Sequence, residues 1–295
     1  MFKPLAALTA CLALALAACA TAPPAAKWPL KIASWNLEHL AEDGATGCRP
    51  RTDADYAALR RYADKLDADV VAFEEVQSAK AAARVFDPAK YDLLIEVRSG
   101  GGAPSACGGQ PGRFLNRQAV GFAIRKGLAF ERREDLTALQ LGNPNLRSGV
   151  DIVVRPRGGA PLRLLAVHLK SGCASGDRNE ACGTLRQQVP ILERWIDARA
   201  TEGTRFAVLG DFNRRLAQAG DAIWLDLDDS QPANADLALA AGGRHPACDP
   251  RFRDFIDHVV LDKRAAGDLI GFQELVYDAG GERPSDHCPI AATLR

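Results

Sequence analysis

From residue 30 onward the chain repeats one pattern, a short apolar run rich in Val, Ile, Leu and Phe, bounded by polar residues or glycine. The runs are LKIASWNL, DVVAFEEV, YDLLIEVR, QAVGFAIRK, GVDIVVRPR, LRLLAVHLK, FAVLGDFN, FIDHVVLD and CPIAATL. Their length and composition predict β-strands. Two stretches keep a helical period instead. Tyr56, Leu59, Ala63 and Leu66 follow Asp53 or Asp55 as N-cap, and Leu185, Val189, Leu192 and Ile196 follow Thr184, with Pro190 expected to bend the second helix near its start. Strands with intermittent helices and no second linker predict one α/β (α+β) domain over residues 30–295, two packed sheets with helices outside. One long irregular stretch, RSGGGAPSACGGQPGRFLNRQ, interrupts the pattern, and its Cys107 suggests that it is pinned down.

The N-terminus obeys a different rule. MFKPLAALTACLALALAACA has a basic start at Lys3 and then an apolar run of small residues and leucines, the layout of a secretory signal peptide over residues 1–18. Residues 16–19, LAAC, resemble the bacterial lipobox, whose cysteine becomes lipidated, here Cys19. ATAPPAAKWP then reads as a flexible tether over residues 19–29. Cleavage at an A-x-A site ending at Ala17 is the alternative. The expected destination is the outer membrane or cell surface through a lipid anchor, or the periplasm or medium if the lipobox is not used.

Export changes the reading of the cysteines. Of eight, Cys11 lies in the signal and Cys19 at the lipid site, leaving Cys48, Cys107, Cys173, Cys182, Cys248 and Cys288. An even number in an exported chain predicts three disulfides. Cys173 and Cys182 close the short loop GCASGDRNEACG and form the expected pair, while zinc has no C-x-x-C spacing to use. Composition adds little. At 295 residues and 47% apolar the chain can bury a full core, and 37 basic against 37 acidic residues leave no global basic footprint. A locally basic groove for nucleic acid is not excluded.

The chemistry collects where the apolar runs end. In GDFNRRL, Asp211 and Asn213 sit two apart after FAVL, so in an extended strand they point the same way, although Gly, Asp and Asn also make turns. Other run ends supply Asn36 and Glu38, Glu74 and Glu75, His168, Asp257, and Asp286 with His287. Each alone also fits a solvated face, a cap or a core histidine. Together they put acid, amide and imidazole at the strand termini, where folds of this class place active sites.

WNLE, FEEV, HLKSG, GDFN, IDH and SDH, in that order, resemble the motif set of the endonuclease/exonuclease/phosphatase superfamily, the fold of DNase I, from about Lys31 to Arg295. The resemblance implies a four-layer sandwich of two mixed β-sheets flanked by helices. It also implies a divalent cation, Mg2+ or else Mn2+ or Ca2+, held by Asn36, Glu38, Glu75 and Asp286. By the same resemblance Asp211 activates water, Asn213 positions the phosphate, and Asp257 orients His287 as a donor to it. His168 would bind phosphate or protonate the leaving oxygen, and Arg117 would bind substrate phosphate. Glu74, on the opposite strand face from Glu75, is left out, and Arg214 and Arg215 are undecided between phosphates and solvent. Cys288 would bring a disulfide to the site's edge as a brace. The implied activity is a monomeric, metal-dependent nuclease acting on DNA or RNA. The alternatives are a phosphomonoesterase or sphingomyelinase-type phospholipase C of the same fold, or an inactive surface binding protein.

Overall fold

All nine apolar runs form strands in the computed structural model, which describes residues 29–98, 105–281 and 283–295. The signal segment, Cys19 and the tether up to residue 28 lie outside the described residues. The first sheet contains β1 (Leu30–Leu40), β2 (Val70–Val76), β3 (Tyr91–Ile95), β4 (Ala119–Arg125), β11 (Leu269–Glu274) and β12 (Ile290–Leu294) in the order β11-β12-β1-β2-β4-β3. The second contains β5 (Ala129–Arg132), β6 (Val150–Arg155), β7 (Leu162–His168), β8 (Phe206–Asp211), β9 (Leu237–Leu239) and β10 (Asp257–Asp262) in the order β5-β6-β7-β8-β10-β9. Each sheet has one parallel pair at its centre, β1 with β2 and β7 with β8, and is otherwise antiparallel.

Both faces of the central strands are covered, which is why those strands read as unbroken apolar runs. Ile32, Ala72 and Phe122 from the first sheet meet Ile152, Leu164, Leu209 and Leu261 from the second in a core between the sheets. The alternate residues Trp35, Val71 and Phe73 pack outward against Tyr56, Leu59, Tyr62 and Leu66 of α1 (Asp53–Leu66). On the far side Leu165, Val167 and Val208 pack against Leu185, Val189, Leu192 and Ile196 of α3 (Glu180–Thr201). The result is the expected four-layer α/β sandwich. Three short helices, α2 (Ala79–Ala82), α4 (Ala222–Leu227) and α5 (Lys263–Gly267), complete it with one 3-10 turn over Thr137–Gln140.

Local details depart from the sequence reading. The N-cap of α1 is Thr52, whose side chain accepts from Asp55 N, while the Asp55 carboxylate accepts from Thr52 N, a reciprocal capping box. Helix α3 starts at Glu180 rather than after Thr184, because Asn179 caps it by accepting from Cys182 N at 2.8 Å; Pro190 then falls mid-helix. Strands β5, β9 and β11 are edge strands whose partial exposure denies them a continuous apolar run. The three disulfides are Cys48–Cys107, which pins the irregular stretch, Cys173–Cys182 and Cys248–Cys288.

Candidate active site

Register assembles the centre of the site. His168 is paired with Asp211 across the parallel β7–β8 ladder, and Asp211 with Asp257 across the antiparallel β8–β10 ladder. The two strands can come this close because residue 210 is glycine, with φ 150°: a Cβ there would lie 1.8 Å from the Val167 carbonyl oxygen. Asn213 then turns the chain in the left-handed region, φ 53°, where Asn is tolerated, and its backbone N–H donates to Asp211 Oδ1 at 2.7 Å. GDFN is therefore both strand end and turn.

The neighbouring sheet contributes through irregularity. Register shifts interrupt β1 against β2 between Asn36 and Leu40, and β2 against β4 between Phe73 and Val76. Glu38, His39 and Glu75 take positive φ there, and with Asn213 they make four of the seven non-glycine residues described in that region. Such conformations cost about 1–3 kcal/mol each and cluster where function requires them. Asn36 Nδ2 donates to Asp211 Oδ2 at 3.1 Å, while Asn36 Oδ1 accepts from Glu38 N at 2.9 Å. Glu75 Oε2 accepts from His39 N at 3.0 Å, and Oε1 lies 4.0 Å from His168 Nε2.

His287 closes the site from the loop before β12. Its Nδ1 lies 2.7 Å from Asp257 Oδ2 and its Nε2 3.9 Å from Asp211 Oδ2. Its backbone is fixed on both sides: the carbonyl accepts from Tyr277 Oη at 2.5 Å, and the N–H donates to Ser285 Oγ, which donates to the Asn36 carbonyl at 2.7 Å. The loop that carries His287 is thus tied to β1.

Burial and charge set protonation. Asp211 is 2% exposed, and desolvation, with Asp257 behind it, pushes its carboxyl up to about 7. Burial alone would lower His287, but the charge and hydrogen bond of Asp257, with Asp211 and Asp286, outweigh it and raise the imidazole well above its ordinary range. His168 goes the other way: burial, then Arg147 and His287, hold it well below, so it is a neutral N–H donor at neutral pH rather than an acid. Glu74 is fully buried, accepts from Ser34 Oγ at 3.3 Å, and is raised by desolvation, then by Asp257 and Asp211. It lies beneath the centre without touching it.

Asn36, Glu75, His168, Asp211, Asn213, Asp257 and His287 are thus brought together. Glu38 is engaged elsewhere, its Oε2 paired with Arg49 and accepting from Asp286 N. Asp286 stands exposed at the rim, its Oδ1 3.9 Å from His287 Nε2. Arg117 donates to the Glu96 carbonyl at 3.1 Å. Arg214 is buried and structural, paired with Asp221 and donating to the Cys173 and Gly176 carbonyls.

The residue that the sequence reading missed is Arg147. It is 8% exposed, its Nε has no hydrogen-bond partner among the described residues, and its charge is felt by Glu75, Asp211 and Glu96. A buried guanidinium with an unsatisfied N–H is costly, and it suits an arriving anion. It precedes β6, whose first residue pairs with Ala166, so it stands beside the His168 end of β7. The signal was available: NLRSG is another charged group at a strand terminus.

The donor set fits a hard divalent cation. Among the described residues Glu75 Oε1 receives no hydrogen bond, Asn36 Oδ1 receives one, and Asp257 Oδ1 is buried without a partner. Asp211, Asp257 and His287 also converge within 4.8 Å, but the protonated imidazole there would repel a cation. Asn36 and Glu75 are the better seat.

The Endonuclease/Exonuclease/phosphatase family profile matches residues 33–287. Solved structures of the same fold include a 3′ phosphatase, NExo, from Neisseria bound to a product DNA hairpin (15% identity, TM-score 0.60, 90% of this chain and 99% of that one). A humanized D. rerio TDP2 aligns at 18% identity and TM-score 0.60 over 90% of this chain and 98% of its own. The human Nocturnin catalytic domain with bound sulfate aligns at 15% and 0.61 over 90% and 93%. No curated protein matches the chain.

Proposed function

Because the chain belongs to the endonuclease/exonuclease/phosphatase family, we propose that it is a metal-dependent phosphodiesterase that cleaves nucleic acid outside the cytoplasm. The observation that carries this reading is the buried Asp211, ionising near neutrality between Asn36, His168 and the His287–Asp257 pair. Asp211 accepts the proton of the attacking water, while Asn36 Nδ2 and Asn213 N fix its two oxygens. Asp257 holds the proton on His287 Nδ1, so that Nε2–H faces the phosphate and donates as negative charge develops. Arg147 pairs with a non-bridging oxygen, and neutral His168 donates Nε2–H toward the leaving oxygen. A divalent cation at Asn36 and Glu75 supplies charge neutralisation on the phosphate when bound.

One fold relative supports a nucleic-acid substrate by analogy: NExo is described with a DNA product and as a 3′ phosphatase, which also keeps a terminal-monoester reading open. The signal-like N-terminus and three disulfides support export, and LAAC supports lipidation of Cys19. The mature protein with Mg2+ on labelled DNA, labelled RNA, sphingomyelin and a phosphomonoester tests the proposal. Cleavage of a polynucleotide is expected, and turnover confined to the lipid or monoester would refute it. Fatty-acid labelling that is lost in Cys19→Ser tests the anchor, and an unlabelled wild type excludes it.

A further inference from the structure

Beside the catalytic histidine opens a pocket of about 440 Å³, within the range of small-molecule sites. Its lining runs from Asp257 and His287 to Arg215, Arg251 and Phe252. Phe252 is 47% exposed and presents its ring to this pocket. The guanidinium carbons of Arg215 and Arg251 lie 5.9 and 5.7 Å from its ring centroid. Both guanidinium groups lie within cation–π reach of the ring, and the ring still keeps 47% of its surface exposed.

The loop that carries Phe252 is fixed to the site. Cys248 is bonded to Cys288, the residue after His287. Asp249 pairs with Arg251 and Arg283, and Arg283 donates to the Cys248 carbonyl at 2.9 Å. From the other side, Arg215 follows the Asp211 turn, and its backbone N–H donates to the Ala174 carbonyl at 3.0 Å. An exposed ring and two planar cations therefore stand in one pocket with His287, the group proposed to face the reacting phosphate.

We propose that Phe252, with Arg215 and Arg251, is a stacking platform for the nucleobase next to the scissile phosphate. A base presents a flat π-face to Phe252 and accepts guanidinium stacking, and its own backbone phosphate leads into the catalytic centre. Stacking reads no base edge, so the platform favours any base over none. This inference rests on the phosphodiesterase reading and adds the chemistry of one substrate subsite.

The test is calorimetric binding of deoxythymidine 5′-monophosphate and of 2-deoxyribose 5-phosphate to the full mature protein, as wild type, Phe252→Ala and Phe252→Trp, beside hydrolysis of an oligonucleotide. Wild type is expected to bind the nucleotide about tenfold tighter than the sugar phosphate, Phe252→Ala to erase that preference, and Phe252→Trp to keep it. That pattern supports the platform whether or not the oligonucleotide is cleaved. Equal binding of the two ligands by wild type, or an undiminished preference in Phe252→Ala, overturns the platform. Cleavage of the oligonucleotide alongside either result leaves the phosphodiesterase reading standing.

Discussion

Asp257 stands directly opposite Asp211 across the β8–β10 ladder, and His287 reaches both, hydrogen-bonded to the first at 2.7 Å and 3.9 Å from the second. The two carboxylates have different work. In the proposed mechanism Asp257 holds the imidazole, and Asp211 takes the proton of the attacking water. Asp257→Asn should therefore keep the fold and lose the tautomer, lowering kcat about 10³–10⁴-fold at unchanged circular dichroism. A loss of only a few-fold would remove Asp257 from this role.

The protonation states give a pH profile of defined sign. Asp211 must be ionised to accept a proton, and its carboxyl is raised to about 7, so kcat/KM should climb as pH passes through about 7. His287 must be protonated to donate, and because it is raised well above its ordinary range it stays charged beyond that point. The expected profile is a bell with its plateau alkaline of neutrality. Asp257→Asn should draw the alkaline limb downward in pH. A plateau reaching down to pH 5 would mean that the titrating base is not Asp211.

Arg147 and Arg117 separate by experiment. Arg147→Met removes a buried guanidinium whose Nε has no hydrogen-bond partner among the described residues and should lower kcat/KM about 10²-fold, with melting unchanged or raised. Arg117→Ala, whose group is spent on the Glu96 carbonyl, should change it by no more than about threefold. The reverse order would restore Arg117 as the phosphate ligand.

How much the sequence disclosed follows from how each element is stabilised. Central strands such as β2 and β8 are buried on both faces and announce themselves as apolar runs; β9 and β11 are held by one neighbour and half exposed, so their sequences carry no such run. The rows His168–Asp211–Asp257 lie at strand ends that the runs already mark. Arg147 lies in a loop, and only the tertiary approach of Glu75 and Asp211 shows what its charge meets. Alternation along β2 separates Glu74 from Glu75, and the structure agrees, with Glu75 at the site and Glu74 buried underneath it; what alternation does not show is the irregularity between Phe73 and Val76.

The disulfide Cys248–Cys288 closes a loop with a sequence separation of 40 and braces both His287 and the Phe252 loop. Replacing both cysteines by serine should cost about 4 kcal/mol in denaturant unfolding. It should also raise KM for a nucleotide substrate more than it lowers kcat, because the bonds that hold the His287 backbone, its carbonyl accepting from Tyr277 Oη and its N–H donating to Ser285 Oγ, remain. Unchanged stability and KM would deny the brace.

The central claim is that Asp211 activates water for phosphodiester hydrolysis, and hydrolysis of a labelled oligonucleotide by wild type and Asp211→Asn, with Mg2+ and with a chelator, tests it most directly. Wild type is expected to cleave the oligonucleotide in a reaction that the chelator abolishes and that a folded Asp211→Asn enzyme performs at least about 10³-fold more slowly. Undiminished turnover by a folded Asp211→Asn enzyme would contradict the claim.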